Sequence, residues 1–234
     1  MKTESSRPPG HVVVALDGPA GAGKSTAARL LAARLGYVLV DTGALYRGLA
    51  LAALEESVSW DDGASLAAVA GRRVLSLVRG GEGHSRLLID GVDRSSEIRT
   101  PQISDGASRV SRHPPVRAAL LGLQRKLGAE GRVVLEGRDI GTVVFPDAEL
   151  KVFVTASDDA RAQRRHEELI ASGHQVQYAQ VLADIRERDR RDSERDVAPL
   201  KPAADAVVLD TSDIPLDAVV DKLEALVKSR LTPQ

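Results

Sequence analysis

Five short runs along the chain are apolar without alternation: HVVVALD (11–17), YVLVD (37–41), RVVLE (132–136), LKVFVTA (150–156) and DAVVLD (205–210). A strand with one wet face alternates apolar and polar residues, whereas unbroken Val and Leu suit strands buried on both faces, as in a parallel sheet covered by helices. Between the runs, apolar residues recur at helical spacing over 24–35, 44–56, 116–128 and 214–230. Strands alternating with helices predict a doubly wound α/β domain. Four of the runs end in an acidic residue or Thr followed by a turn. Polar groups are thereby gathered on one sheet edge, the edge at which open α/β sheets bind ligands.

Two stretches break the alternation. Residues 57–112 carry a hairpin pattern, RRVLSLV and SRLLIDG around the glycine turn RGGEGH. Residues 157–196 are charged and helical, with a Ser-Gly break at 172 and 173. Both read as mobile lobes on a rigid sheet. Residues 1–10 read as a flexible polar tail.

Composition narrows the chemistry. The 234 residues suit one domain carrying insertions, and 43% apolar with 28% charged is globular composition. A net charge of −1 argues against a protein built to grip nucleic acid, which needs a concentrated basic excess. No cysteine is present, which removes disulfides and thiolate metal sites and fits a reducing cytoplasm. The five histidines show no metal-ligand spacing. The start lacks the apolar stretch of a secretory signal, and no segment approaches bilayer-spanning length. The expectation is a cytoplasmic monomer with no membrane and no nucleic-acid partner.

DGPAGAGKST (17–26) fits G-x-x-x-x-G-K-[ST] at Gly18, Gly23, Lys24 and Ser25, between a predicted strand and a predicted helix. In that setting backbone N–H groups surround a phosphate and the helix N-terminus adds positive potential. Lys24 reaches the terminal phosphates, and the Ser25 hydroxyl ligates Mg²⁺. A nucleoside triphosphate site is expected. No Asn-Lys-x-Asp guanine-reading motif accompanies it.

A kinase for small molecules needs a second anion site. DTGALYRG (41–48) opens a helix with Thr42 in the N-cap position and Tyr46 and Arg47 one turn in. The alternative is a capped helix with a salt-bridging Arg. GRDIGT (137–142) puts Arg138 and Asp139 on the same sheet edge, unless it is merely a loop.

GPAGAGKST, DTGALYR, SEIRT (96–100), PPVRAALLGLQR (114–125), EGRDIGTVVFPDAELKVF (136–153), RERDRRD (186–192) and VAPLKPAADAVVLD (197–210) together resemble the bacterial cytidylate kinase family, from about residue 11 to 228. The resemblance implies the P-loop nucleoside monophosphate kinase fold, a five-stranded parallel sheet flanked by helices. It divides the chain into a core (11–41, 113–156 and 197–234), a monophosphate-binding insert (42–112) and a lid (157–196). It implies transfer of the γ-phosphoryl group of ATP to CMP or dCMP. On this likeness Gly18, Pro19, Ala20, Gly21, Ala22, Gly23, Lys24, Ser25 and Thr26 hold ATP. The CMP phosphate falls to Arg47 and Arg138, with Thr42 and Tyr46 close by, and cytosine to Ser108, Arg117 and Asp139. The last assignment has independent chemical sense, because an ionised carboxylate accepts from the exocyclic amine of cytosine and repels the carbonyl of uracil. Thr42 stands where the family often has Ser, and Glu136 where Asp is common.

TASDDARAQRRHEEL (155–169) supplies Arg161, Arg164 and Arg165, with Arg161 and one of the other two on one helix face. As a lid they would neutralise the transferring phosphoryl group and exclude water, Arg165 reaching ATP; as surface they would pair with glutamates. In RERDRRDSERD (186–196) ten of eleven residues are charged. If 178–192 is a helix, the stripe Tyr178, Val181, Leu182 and Ile185 continues onto Arg188, Asp189 and Asp192, then Arg195. The family likeness assigns Asp192 to the sugar hydroxyl and Arg188 with Arg195 to phosphates. Arg186, Glu187, Arg190 and Glu194 fall on other faces. A kinase preferring UMP or AMP and a non-catalytic nucleotide switch stay open as competing readings.

Overall fold

The computed structural model describes residues 11–80 and 85–231. The tail expected over 1–10 and four residues of the hairpin turn lie outside the described residues. The chain runs through β1 (Val13–Asp17), α1 (Lys24–Leu35), β2 (Val38–Asp41), α2 (Thr42–Glu55), α3 (Gly63–Arg72), β3 (Leu75–Arg79), β4 (Ser85–Ile89) and β5 (Val92–Asp93). It continues through α4 (Pro101–Val110), α5 (Pro114–Gly128), β6 (Val133–Gly137), β7 (Leu150–Thr155), α6 (Asp158–Ala171), α7 (Tyr178–Ser193), β8 (Val207–Asp210) and α8 (Leu216–Leu231).

The five expected runs form one parallel sheet in the order β2-β6-β1-β7-β8. Central β1 and β6 are buried throughout, whereas Val38 on edge strand β2 and Val208 on edge strand β8 are exposed. Cover on both faces explains why the central runs do not alternate. Leu31 of α1 and Leu223 of α8 pack on Val14, Leu16 and Val152 on one face. On the other, Val13, Ala15, Val133 and Leu135 meet Ile140, Phe145, Leu121 and Leu127. Register sets Asp41 beside Glu136, Asp17 beside Gly137 and Thr155 beside Asp210, so the polar strand ends do share one edge.

Residues after β2 build a second core, in which Leu45 and Leu49 of α2 pack with Leu66, Leu87, Ile89, Ile103 and Val110. The expected hairpin is present as antiparallel β3 and β4, and β5 adds a third strand. Two unanticipated helices, α3 and α4, flank it. Helix α5 serves both cores, giving Val116 and Leu120 to this one and Leu121 and Leu127 to the sheet. Trp60 and His113 stitch the lobe: Trp60 Nε1 donates to Ala50 O at 3.0 Å, and the His113 ring nitrogen lies 2.9 Å from Trp60 O. Helices α6 and α7 clasp each other through Ala162, Leu169, Val181 and Ile185. Gly173 between them has φ 82°, a left-handed conformation that glycine adopts without strain, at the break read from the sequence.

Candidate active site

A cleft of about 1140 Å³ opens at the C-terminal edge of the sheet, between the loop after β1, the second core and the α6–α7 pair. Its floor is that loop. Gly23, φ 79°, is the N-cap of α1 and offers no side chain, so the first N–H groups of the helix face the cleft uncapped. Ala20, Gly21, Ala22, Gly23, Lys24, Ser25 and Thr26 line the cleft. Gly18 and Pro19 do not. Gly18 allows close packing instead, because a Cβ there would sit 1.9 Å from Val154 O. Pro19 O accepts the Lys24 ammonium at 2.6 Å. Ser25 Oγ donates to Glu136 Oε2 at 2.8 Å, so the two candidate metal-positioning groups are adjacent.

Opposite the loop, Asp41 rather than Thr42 caps α2, accepting from Ala44 N–H at 3.0 Å. Thr42 is the first helical residue, buried, and its hydroxyl donates to Glu136 O at 2.7 Å. Arg47 pairs with Asp41 at 2.5 Å, so the salt-bridge alternative describes one of its contacts, while its Nε is buried without a partner. Tyr46 lies beneath the Arg117 guanidinium, 5.6 Å from ring centroid to Cζ. Arg117 is ion-paired with Asp139, both nearly fully buried, and donates to Ser111 O at 3.1 Å. All of these side chains except Ala44 line the cleft.

The charge run brings its inward edge to the same place. Asp192 is 3% exposed and accepts from Arg138 Nε at 3.0 Å, with Ser108 Oγ at 3.4 Å. Helix α7 ends at Ser193, so Arg195 is not on its stripe; it turns inward regardless, donating to Asp192 O at 3.1 Å. Arg188 lines the cleft with its Nε buried and unpartnered. Arg186, Arg190 and Glu194 are exposed and outside the cleft lining, as expected, whereas Glu187 is exposed but lines the cleft.

Arg161 departs from expectation. It is 3% exposed, lies outside the cleft lining, and contacts Ala156 O at 3.0 Å, Ala20 O at 3.1 Å, Asp158 Oδ1 at 2.5 Å and Asp189 Oδ2 at 2.5 Å. Its guanidinium is saturated by protein groups and ties α6 and α7 to the phosphate loop. Arg164 and Arg165 do line the cleft, Arg164 held by Thr211 O at 2.5 Å and Arg165 by Glu168 at 2.7 Å. Arg191 is among the lining residues that escaped the sequence reading. Arg191 is held by Asp105 at 2.8 Å, and its position three residues after Arg188 was the available signal.

Cations crowd this cleft beyond what its carboxylates neutralise. Burial and then repulsion by Arg138 push the Lys24 ammonium well below its ordinary range, against the pull of Glu136 and Asp17. Burial and Arg138 likewise bring Arg188 down to about 10. Burial alone would raise Asp192, but Arg138, Arg195 and Arg188 hold it below the usual carboxylate range. Protonated groups disfavoured by their neighbours are what an incoming polyanion would relieve. Just beneath, burial pushes the Asp17 carboxyl up to about 6 although it accepts two backbone N–H bonds.

Residues 14–229 match the family model described as cytidylate kinase. The cytidylate kinase of Pelotomaculum thermopropionicum is 49% identical over 92% of this chain and 96% of its own, and that of Geobacter sp. strain M21 is 49% identical over 94% of each. A crystal structure of an uncharacterized protein from Eubacterium ventriosum superposes with a TM-score of 0.51 at 14% identity, covering 94% of this chain and 99% of that one, a likeness of fold. Among the described residues no helix is long and apolar enough to cross a membrane.

Proposed function

The chain belongs to the cytidylate kinase family, and from that premise we propose how its cleft performs the family's reaction. It is a nucleoside monophosphate kinase, passing the γ-phosphoryl group of ATP to CMP or dCMP to give ADP and CDP or dCDP. A phosphate oxygen of the monophosphate bonds to the γ-phosphorus as the bond to the β–γ bridging oxygen breaks. With its second ionisation near pH ~6, that oxygen is already anionic at neutral pH, and no general base is required. The protein has to hold two polyanions in line and neutralise the charge on the moving group.

Lys24 and the N–H groups of residues 20–26 hold the donor phosphates in this reading, flanked by Arg164 and Arg165. Arg47, Arg138, Arg188 and Arg195 meet the CMP phosphate, Asp192 the sugar hydroxyl, and Asp139 with Arg117 and Ser108 the cytosine, beside Thr42 and Tyr46. Ser25 and Glu136 are hard oxygen donors 2.8 Å apart, a set that fits Mg²⁺. When bound, the ion draws charge from the donor phosphates. The separate apolar clusters support reading 42–112 as the monophosphate-binding insert and 157–196 as the lid.

The observation carrying these assignments is the convergence of Lys24, Arg138 and Arg188 on one cleft that the Arg117–Asp139 pair also lines. ADP release measured against CMP, dCMP, UMP and AMP tests it. CMP and dCMP should be the preferred acceptors, and Asp139→Asn should weaken that preference far more than ATP binding. Unchanged selectivity in Asp139→Asn would remove Asp139 as the base reader.

A further inference from the structure

We propose that Asp17 is a positioning residue for cytosine selection, its carboxylate fixing the turn that carries Asp139. Asp17 is the last residue of β1, 5% exposed, and its side chain lies outside the cleft lining. Oδ1 accepts the Ile140 N–H at 2.8 Å and Oδ2 the Gly141 N–H at 2.7 Å. These are the two residues following Asp139. They open a five-residue π-helical turn, Ile140–Val144, in which Val143 and Val144 both donate to Asp139 O, at 2.9 and 3.2 Å. Asp139 is therefore anchored through its own carbonyl and through the two amides after it.

Room for adjustment is small. A Cβ on Gly141 would stand 3.1 Å from Lys151 Cδ and 3.4 Å from Asp17 Oδ2, so the turn is wedged between the two side chains. Lys151 is itself fixed by Asp205, at 3.0 Å to each carboxylate oxygen. A buried carboxylate whose direct partners are backbone amides is costly to desolvate. Two parallel N–H donors nevertheless call for two acceptors on one side chain, and an amide would turn its NH₂ toward one of them. Asp17 immediately precedes Gly18, but its two carboxylate oxygens bond the amides of the base-reading turn, so a change of its side chain acts on that turn.

The proposal rests on Asp139 as the reader of cytosine, and kinetics of the whole protein separate the two claims. Asp17→Asn leaves one N–H without an acceptor and is expected to raise the KM for CMP about tenfold and lower the CMP-to-UMP ratio of kcat/KM about tenfold, with the KM for ATP within about twofold. In a double variant with Asp139→Asn the ratio should fall no further than in Asp139→Asn alone. Gly141→Ala displaces the same turn from the other side and should reproduce the pattern; it carries the test if Asp17→Asn does not fold. An unchanged ratio in these variants while Asp139→Asn lowers it overturns the role of Asp17 alone. Equal increases in both KM values overturn it as well. Undiminished selectivity in Asp139→Asn instead overturns the reading on which it rests.

Discussion

Arg138 Nε lies 3.0 Å from Asp192 Oδ2, joining the turn after β6 to the last turn of α7. Ser108 and Arg195 reach the same buried carboxylate. Removing it leaves Arg138, Arg188 and Arg195 facing one another without their shared anion. Breaking a buried pair from one side costs about 3–5 kcal/mol, so Asp192→Ala should unfold at clearly lower urea concentration. Its KM for CMP should rise by at least about tenfold while that for ATP changes little. Unaltered stability and KM would mean that Asp192 neither organises the arginines nor meets the acceptor.

Arg161 should behave as a structural tie rather than a phosphate ligand. Arg161→Ala strands Asp189 and frees Ala20 O, a loss of about 3 kcal/mol by the same argument, read as a lowered melting temperature in the absence of nucleotide. Arg190→Ala, which removes exposed contacts to Glu187 and Glu194, should leave the melting temperature unchanged. Equal effects of the two would contradict the distinction between a saturated buried guanidinium and a solvated one.

Asp17 predicts a pH dependence with a definite sign. Its carboxyl stands at about 6 in the folded protein against an ordinary 3.8. Between those values the folded state binds more protons than the unfolded one, so stability falls as pH rises through the window. The unfolding free energy of the parent protein minus that of Asp17→Asn should decline by about 2–3 kcal/mol between pH ~4 and pH ~7. A difference that stays flat, measured by urea unfolding at each pH, would rule out this buried acid as the cause.

Ser25 and Glu136 should reveal themselves in the metal requirement. Ser25→Ala and Glu136→Gln are each expected to raise the Mg²⁺ concentration for half-maximal activity about tenfold or more. A chelator should abolish turnover and excess Mg²⁺ restore it. If both variants titrate like the parent, the ion is held elsewhere.

Much of this was legible because it is written in local pattern. Unalternating Val and Leu announced strands covered on both faces, and β1, β6 and β7 are so covered. Glycines at 18, 21 and 23 with Lys24 and Ser25 announced the phosphate loop, since conformational freedom and hydrogen-bonding type are properties of single residues and their spacing. The stripe Val181, Ile185, Arg188, Asp192 carried Arg188 and Asp192 to the cleft, because helical period is a sequence quantity, but it did not announce Glu187 and Arg191, which line the cleft as well.

What tertiary structure alone decided is partnership. Spacing put Arg161 on a face with its neighbours, but whether its donors meet a phosphate or Ala20 O and Asp189 depends on how α6 lies against the loop after β1. Thr42 gave way to Asp41 as the cap because the helix begins one residue earlier, where β2 ends. Asp17 looked like one more acidic strand end. Only the pairing of β1 with β6, residues separated by more than a hundred positions, brings the amides of Ile140 and Gly141 onto its two oxygens. Residue type and period are carried along the chain, whereas the partner of a buried polar group is chosen by packing across it.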